Sequence, residues 1–300
     1  MSPEPAPVIV GGIPVTHPDK IWWPEEGITK VDIARYYDGM AERIAPWLRE
    51  RPMTAERCPL GMRGPCYYQK NFAKGLPDGV PTFAIRAEST KKDVHYVVGG
   101  SKRALIALVQ LGCITMHVMN SRVSSLHEAD WLAFDLDPSS GSFSDAAKAG
   151  IVLREILDEL RLRSFPKTSG SRGLHVLVPL RAGYGQDAAR DLAVSVGREL
   201  AERAPTLVTM AHGKAAREGR VYADPFRNGF AQTIATPYSV RRKPHAPVSA
   251  PLDWDEVRTD LDPASINVRT IEKRLGGTDP WAGFARARQR LPAWGSADRA

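Results

Sequence analysis

The chain has 300 residues, of which 43% are hydrophobic and 25% are charged, as in an ordinary globular protein with a full-sized core. Its 41 basic and 34 acidic residues give a net charge of +7, which fits a nucleic-acid partner but is shared by many proteins without one. The N-terminus lacks the pattern of a secretory signal, and no apolar run is long enough to span a bilayer. We therefore expect a soluble, cytoplasmic protein.

The cysteines agree with that compartment. Cys58, Cys66 and Cys113 are sparse and odd in number, which does not indicate a disulfide framework. They also form no close pair of the kind that binds zinc. We expect three thiols in a reducing environment.

The N-terminal third contains two predicted helices. The first begins after Thr29, a good N-cap residue, because apolar residues then recur at helical spacing. The second covers residues 101–111 and ends at Gly112, a residue typical of helix C-termini. Between them, residues 51–81 are broken by proline and glycine and are interpreted as loops around one short strand, residues 66–69.

From residue 131 onward, predicted strands and helices alternate. The strands cover residues 131–137, 174–180, 221–224 and 232–236, and the helices cover residues 145–162, 187–203 and, near the end, 268–275. This order predicts an α/β or α+β sandwich. The expected segments are a flexible N-terminus (1–14), an N-terminal α/β module (15–120), a central module with the charged motifs (121–280) and a C-terminal tail (281–300). We expect the two modules to pack as one compact unit.

Two carboxylates end the first strand of the central module. Side chains alternate along a strand, so Asp135 and Asp137 project from one face while Leu132, Phe134 and Leu136 occupy the other. Two adjacent carboxylates repel each other unless a cation lies between them, and oxygen ligands favour Mg²⁺ or Mn²⁺. The alternative is an ordinary Asp-Pro turn whose acids are solvated.

A third acid, Asp224, ends another short apolar strand and again precedes a proline. Taken alone it indicates little, since many strands end in such a turn. Its significance lies in the set of three, because phosphoryl transfer by two metal ions requires several carboxylates.

A polar turn precedes the strand over residues 174–180. Its glycines allow a ligand to approach the backbone, and Ser169 and Arg172 are suitable donors to phosphate. His175 leaves the apolar face of the strand at the same end. The turn lacks the spacing of a Walker A loop, and a simple hairpin turn is the alternative. His117 and Arg241 would by themselves be interpreted as a core histidine and a solvated surface charge.

Several of these motifs, in order and at compatible spacing, resemble the polymerase domain of the bacterial ligase D proteins, within the archaeo-eukaryotic primase superfamily. The resemblance covers about residues 15–275, and its marks are Asp19-Lys20, Thr29-Lys30, Arg51-Pro52, Tyr68-Gln69-Lys70-Asn71, Phe134 to Pro138, Ser169 to His175 and Pro237 to Arg241. Asp224-Pro225-Phe226-Arg227-Asn228 is a usable version of the family's Asp-x-x-Arg/Gln-Asn pattern. It implies an α+β, primase-like catalytic core with a packed N-terminal module. The chain is then a stand-alone polymerase or a fragment of a larger ligase.

The resemblance also implies a function. The protein would be a template-dependent nucleotidyltransferase of the primase-polymerase type, adding ribo- or deoxyribonucleotides at DNA ends or short gaps during DNA repair in the bacterial cytosol. Its substrates would be nucleoside triphosphates and DNA with a recessed 3′ end and a downstream 5′-phosphate, and its cofactors two Mn²⁺ or Mg²⁺ ions. End-binding or ligase repair proteins are the expected protein partners, in non-homologous end joining or in gap filling during excision repair.

The roles implied for single residues fall into three groups. Catalytic metal ligands would be Asp135, Asp137 and Asp224; triphosphate contacts would be His117, Ser169, Arg172, His175 and Arg241; DNA contacts would be Lys20, Lys30, Tyr67, Tyr68 and Lys70. Lys20 and Lys30 resemble residues that hold a 5′-phosphate. Because they lie at a predicted helix entrance, we expect backbone amides there to add phosphate contacts; without the resemblance, both are ordinary surface charges.

Two other functions stay open. A glycosyltransferase with a D-x-D motif would use Asp135 and Asp137 to bind a nucleotide sugar, but it would leave Asp224 and the two lysines without a role. A DNA-end-binding module without catalytic activity would use the basic residues and leave the acids without one. Extension of a primer next to a 5′-phosphorylated strand distinguishes all three.

Overall fold

The structure is a computed structural model that describes residues 6–139, 142–276 and 279–292. It divides into two compact units. Unit 1 comprises Met1–Leu126, Thr233–Ala250 and Ala264–Gly276, and unit 2 comprises His127–Gln232, Pro251–Pro263 and Gly277–Ala300. Within the described ranges, no helix combines the length and the apolar composition needed to cross a membrane.

The elements follow in chain order. The helices are α1 (Lys30–Gly39), α2 (Ala41–Leu48), α3 (Lys102–Gln110), α4 (Phe143–Glu159), α5 (Gln186–Arg203) and α6 (Ile271–Arg274). The strands are β1 (Val8–Val10), β2 (Ile13–Val15), β3 (Ile21–Trp23), β4 (Ile28–Thr29), β5 (Pro52–Arg57), β6 (Tyr67–Gln69), β7 (Thr82–Arg86), β8 (Asp93–Val98), β9 (Cys113–Met119), β10 (Trp131–Pro138), β11 (Phe165–Thr168), β12 (Leu174–Pro179), β13 (Val208–Thr209), β14 (Val221–Asp224) and β15 (Thr233–Ala235).

Unit 2 is built on a five-stranded sheet in the order β11-β12-β10-β14-β13. Neighbouring strands are antiparallel except β13 and β14, which run parallel. Helices α4 and α5 pack against each other and against β10. The predicted strands and helices of this region are all present, and the α+β class is confirmed.

The two faces of this sheet differ in chemistry because side chains alternate along each strand. Leu136 lies opposite Leu174 on the face that α4 covers, since a Cβ added to Gly150 of α4 would lie 2.3 Å from Leu174 Cδ2. Asp135 and His175, one position along on the same two strands, therefore point to the other face. The apolar face anchors the sheet, and the opposite face carries the charged motifs.

Unit 1 contains a six-stranded sheet in the order β15-β9-β5-β8-β7, with β6 also paired to β5. Its central strand β5 lies within residues 51–81, where only loops and one short strand were predicted. The short strand is present as β6, but the prediction missed β5. Pro52 is tolerated because it begins the strand, and Met53 and Ala55 are fully buried. The proline at the start of β5 and the charged residue Glu56 near its end interrupt the run of apolar residues that would have indicated a strand.

The structure also corrects the prediction of three free thiols. Cys58 and Cys66 form a disulfide, and Cys113 is free and buried. The pairing follows from β5 and β6, whose register places Arg57 opposite Tyr67 and so brings the two neighbouring cysteines together. Their sulfurs and a Glu56 carboxylate oxygen all lie within 4.8 Å of one another, a proximity that the sequence did not indicate.

The described residues near each chain end form structure that the sequence did not indicate. The described part of the N-terminus (1–14) forms most of an antiparallel hairpin in which Val8 pairs with Val15. In the expected tail, Trp281 is buried and its Nε1 donates to Pro166 O at 2.9 Å, while residues 293–300 lie outside the described part. The last helix, α6, is shorter than predicted.

Candidate active site

Four titratable residues form one row across the sheet of unit 2. The strand register pairs Lys167 on β11 with His175 on β12, His175 with Asp135 on β10, and Asp135 with Asp224 on β14. Paired residues on neighbouring strands lie on the same face. Asp137 projects beside Asp135 two residues along β10. The three predicted metal ligands therefore occupy one face of two adjacent strands.

Asp135 is the most strongly bonded of the three aspartates. His175 Nε2 lies 3.3 Å from its Oδ1 and Arg227 Nε lies 3.1 Å from its Oδ2. Burial alone would raise the pKa of Asp135, but the interactions with His175 and Arg227 outweigh it and leave the pKa well below its ordinary value. Asp135 is thus a carboxylate anion held between donors.

Asp137 and Asp224 behave differently. Burial, followed by the charge of Asp135, raises the pKa of Asp137. Burial also raises the pKa of Asp224, and Asp135 adds to that increase. Nearby arginines oppose both shifts, including Arg217, whose Nη1 lies 3.5 Å from Asp137 Oδ2. Asp135 therefore repels each of the other two aspartates, as expected for groups that hold a cation in common.

Arg227 lies between two of the acids, a feature that sequence reasoning did not assign. Its Nε is 3.1 Å from Asp135 Oδ2 and 3.2 Å from Asp224 Oδ2. The carboxylates of Asp135 and Asp224 therefore converge on one position, and a positive charge, the Arg227 guanidinium, occupies it. The Asp-x-x-Arg spacing that follows β14 was the available signal. Carboxylate oxygens of Asp135 and Asp224 thus converge on one cation, and oxygen is the ligand atom that Mg²⁺ and Mn²⁺ prefer.

Asn228, the next residue, supports the acidic strand. Its Oδ1 accepts from Ala133 N at 2.7 Å and its Nδ2 donates to Ala133 O at 2.8 Å. The pairing of β14 with β10 begins only at Asp135, so the backbone of Ala133 has no partner on β14. The fully buried side chain of Asn228 takes the place of that partner by bonding both backbone groups of Ala133. It fixes β10 just before its acidic end.

The polar turn between β11 and β12 is held by its own serine. Ser169 Oγ accepts from Ser171 N at 3.2 Å and from Gly173 N at 3.1 Å. Gly170 has a φ of +69°, and a Cβ at Gly173 would lie 2.6 Å from Leu136 O, so both positions require glycine. Arg172 is exposed on this turn. The turn is a rigid element next to the acidic strand.

The two other predicted triphosphate contacts belong to unit 1. His117 on β9 is buried, and its ring packs edge-on against Tyr68, with 5.4 Å between the ring centroids. Arg241 is partly exposed, and its backbone N–H donates to Pro247 O at 2.8 Å. Their roles in nucleotide binding stay predictions.

Lys30 is buried rather than solvated. Its Nζ donates to Thr16 O at 3.0 Å and to Gln110 Oε1 at 2.8 Å. Burial, and then the charge of the partly exposed Lys20, lower the pKa of Lys30 to about 8. Two ammonium groups are thus close enough to repel each other, which is the arrangement that an anion relieves.

The expected contribution of helix amides to this position was wrong. Lys30 N donates to Lys20 O and the next amide of α1 donates to Pro18 O. Thr29 and Asp32 form a capping box in which the Thr29 side chain accepts a hydrogen bond from the backbone N–H of Asp32. The helix entrance is therefore closed by the chain itself, and the lysine side chains are the remaining donors there.

The predicted base-stacking and backbone contacts lie on β6 and just after it. Tyr67 and Tyr68 have 49% and 64% of their surface exposed, an unusual exposure for large aromatic side chains. Lys70 is exposed as well. The geometry suits stacking and phosphate contacts, and the roles stay predictions.

Comparison with known proteins identifies the family. The family model described as "LigD, primase-polymerase domain" matches residues 29–281. The chain belongs to this family. The expected enzyme class, a template-dependent nucleotidyltransferase of the polymerase type, is confirmed by the membership, and enzymes of this class need a divalent metal ion and a nucleoside triphosphate.

Relatives and a solved structure agree with this membership. The chain is 31% identical over 286 residues to the multifunctional non-homologous end joining protein LigD of Pseudomonas aeruginosa, covering 94% of this chain and 34% of that protein. It is 32% identical over 261 residues to the protein of that description from Mycolicibacterium smegmatis, covering 86% of this chain and 34% of that protein. The chain thus spans about a third of the length of these LigD relatives.

A solved structure matches this chain over almost its whole length. The polymerase domain from Mycobacterium tuberculosis ligase D in complex with DNA is similar to this chain with a TM-score of 0.84 and 30% identity, covering 92% of this chain and 99% of that domain. The primase-polymerase fold of the LigD polymerase domain, predicted from the sequence motifs, is therefore confirmed.

Proposed function

We propose that the protein adds ribo- or deoxyribonucleotides to the 3′ ends of DNA at breaks and short gaps, using a template strand. The observation that carries the proposal is the position of Asp135 directly opposite Asp224, with Asp137 beside them on the same face. Of the functions considered, only nucleotide transfer gives all three acids a role. A glycosyltransferase with a D-x-D motif would leave Asp224 without one.

The proposed metal ligands are Asp135, Asp137 and Asp224, with two Mg²⁺ or Mn²⁺ ions. When bound, such ions supply activation of the primer 3′-hydroxyl and neutralisation of charge on the departing pyrophosphate. The chain's own part is to hold the carboxylates in place: Asn228 fixes β10, and the register with β14 fixes Asp224 opposite Asp135.

For the incoming triphosphate we propose five contacts. Ser169, Arg172 and His175 lie on or beside the polar turn of unit 2, and His117 and Arg241 belong to unit 1. Serine hydroxyls, arginine guanidinium groups and imidazole N–H groups are suitable donors to phosphate oxygens. Their task is to hold the reacting phosphate in line with the 3′-hydroxyl, which is catalysis by positioning.

For DNA we propose that Lys20 and Lys30 bind the 5′-phosphate of the downstream strand. A terminal phosphate carries more charge than an internal diester, and the mutual repulsion of these two ammonium groups favours an anion between them. Tyr67 and Tyr68 would stack on bases, as exposed aromatic side chains do in other proteins that bind single strands. Lys70 would contact the DNA backbone.

The proposed biological setting is DNA repair in the bacterial cytosol. The relatives that are named carry non-homologous end joining in their descriptions, and the solved relative is a polymerase domain in complex with DNA. We propose that this protein takes part in end joining or in gap filling, together with end-binding or ligase repair proteins.

Primer extension on a gapped duplex with a downstream 5′-phosphate tests the proposal. Wild-type protein with Mn²⁺ and nucleoside triphosphates is expected to lengthen the primer according to the template, and Asp135→Asn is expected to reduce the rate at least ~100-fold while DNA binding persists. Asp187→Asn, at an aspartate with an 87% exposed side chain in the same unit, is the control and should extend normally. Binding without extension by wild-type protein would leave the DNA-end-binding module as the function.

A further inference from the structure

Lys167 occupies a position where lysine is rare. It lies on β11 with no exposed surface, and fully buried lysines occur almost only where the charge is paired. Its Nζ lies 2.7 Å from Nδ1 of His175, which is itself buried. A buried lysine nitrogen at hydrogen-bonding distance from a buried imidazole is a specific arrangement that the reaction described above does not use.

The contact decides which nitrogen of His175 carries the proton. When Lys167 is charged it has donors and no acceptor, so His175 Nδ1 accepts from it and a neutral ring keeps its proton on Nε2. Nε2 is the nitrogen that lies 3.3 Å from Asp135 Oδ1. Lys167 therefore makes His175 a hydrogen-bond donor on the side of the carboxylates.

The strand register keeps this arrangement rigid. Lys167, His175 and Asp135 are direct partners on three neighbouring strands, so their side chains stand side by side on one face. The imidazole is bonded at both ends, by Lys167 at Nδ1 and by Asp135 at Nε2. A donor oriented before the substrate arrives needs no rearrangement during the reaction.

We propose that Lys167 is a positioning residue of this site: it holds the ring of His175 in the orientation that directs Nε2 to Asp135 and to the triphosphate. The inference rests on the proposed function, since it assigns Lys167 an effect on nucleotide addition. Lys167 acts through His175 and does not contact the nucleotide. The proposal adds to the site one residue, Lys167, that lies next to a predicted triphosphate contact, His175.

Steady-state kinetics of Lys167→Met provide the first test, because methionine keeps the unbranched stem and removes the amine. The variant is expected to lower kcat/KM for the nucleotide about tenfold, as removal of a residue that orients another typically does, mainly through a higher KM. The control is Lys148→Met, which removes an exposed lysine from α4 of the same unit and should have no effect.

A double variant separates positioning from a contribution to the core. If Lys167 acts through His175, then Lys167→Met has no further effect on nucleotide KM in a His175→Ala background. A core role predicts the same loss in both backgrounds and would overturn the proposal. Lys167→Gln keeps an N–H donor without the charge and should retain more activity than Lys167→Met; it decides the matter if the methionine variant does not fold.

A spectroscopic measurement is independent of activity. In wild-type protein labelled with ¹⁵N-histidine at fixed pH, we expect the His175 ring to show Nε2 protonated and Nδ1 as a hydrogen-bond acceptor. Lys167→Met should move the Nδ1 resonance, and Lys148→Met should not. An unchanged ring spectrum would refute the positioning role, whereas a shifted spectrum in a protein that does not extend primers would refute the proposed function alone.

Discussion

Asp135 and Asp224 face each other across the β10–β14 pair, and Arg227 Nε lies within 3.2 Å of a carboxylate oxygen of each. The arginine lowers the repulsion between two acids that the strand register forces together. A metal ion that binds these carboxylates therefore enters a position next to a positive charge that the protein already supplies.

Replacement of this arginine gives a prediction about stability. Arg227→Met should lower the melting temperature of the metal-free protein by about 2–4 °C, since the bridge is partly exposed and contributes about 1 kcal/mol. Addition of Mn²⁺ should stabilise the variant more than the wild type, because the ion neutralises the acids in place of the arginine. Thermal unfolding with and without Mn²⁺ measures both effects. An equal shift on metal addition in both proteins would show that metal and arginine do not share this site.

The triphosphate contacts give a kinetic prediction. His175→Ala and Arg241→Ala should each raise KM for the nucleotide, because both groups are expected to bind the phosphates in the ground state as well as in the transition state. Nucleotide titrations in the primer-extension assay provide the measurement. Arg258→Ala, at an arginine with a 67% exposed side chain, is the control. Unchanged KM values for His175→Ala and Arg241→Ala would show that the triphosphate binds elsewhere.

The 5′-phosphate site gives a prediction about pH. The protein should bind gapped DNA more tightly with a downstream 5′-phosphate than with a 5′-hydroxyl, and Lys20→Ala combined with Lys30→Ala should abolish the difference. Since the pKa of free Lys30 is lowered to about 8 and phosphate favours its charged form, the preference should be full below pH 8. Above that value it should fall by up to about tenfold per pH unit, because binding then requires proton uptake.

Binding titrations on the two substrates measure this preference. The ionic strength is held fixed because salt screens exposed charges. Lys92→Ala, which removes an exposed lysine of unit 1, is the matched control and should keep the preference. A preference that is independent of pH between 7 and about 10 would exclude Lys30 as the group that titrates.

The cysteines give a chemical prediction. After denaturation without reductant, alkylation and mass spectrometry should detect one thiol, Cys113, and after reduction they should detect three. In the native protein Cys113 should react slowly at neutral pH, because burial raises the pKa of its thiol to about 12 and the thiolate is the reactive form. Three alkylated cysteines without reductant would contradict the Cys58–Cys66 bond.

The sequence by itself determined the local features of this protein. The capping residue Thr29, the alternation that puts Asp135 and Asp137 on one face, and the glycines of the polar turn all depend on interactions within a few residues. These features predicted most helices, three strands of the unit 2 sheet (β10, β12 and β14) and, through ordered motifs, the family. They also located the acids at strand ends before any partner strand was known.

Only the tertiary structure decided which distant residues meet. The pairing of β10 with β14 placed Arg227 between two acids, β11 with β12 placed Lys167 behind His175, and β5 with β6 joined Cys58 to Cys66. Strand β15 returns to pair with β9 of unit 1, although the chain reaches it directly from unit 2. Strand register depends on which apolar faces are buried together across the whole chain, and no local spacing records it.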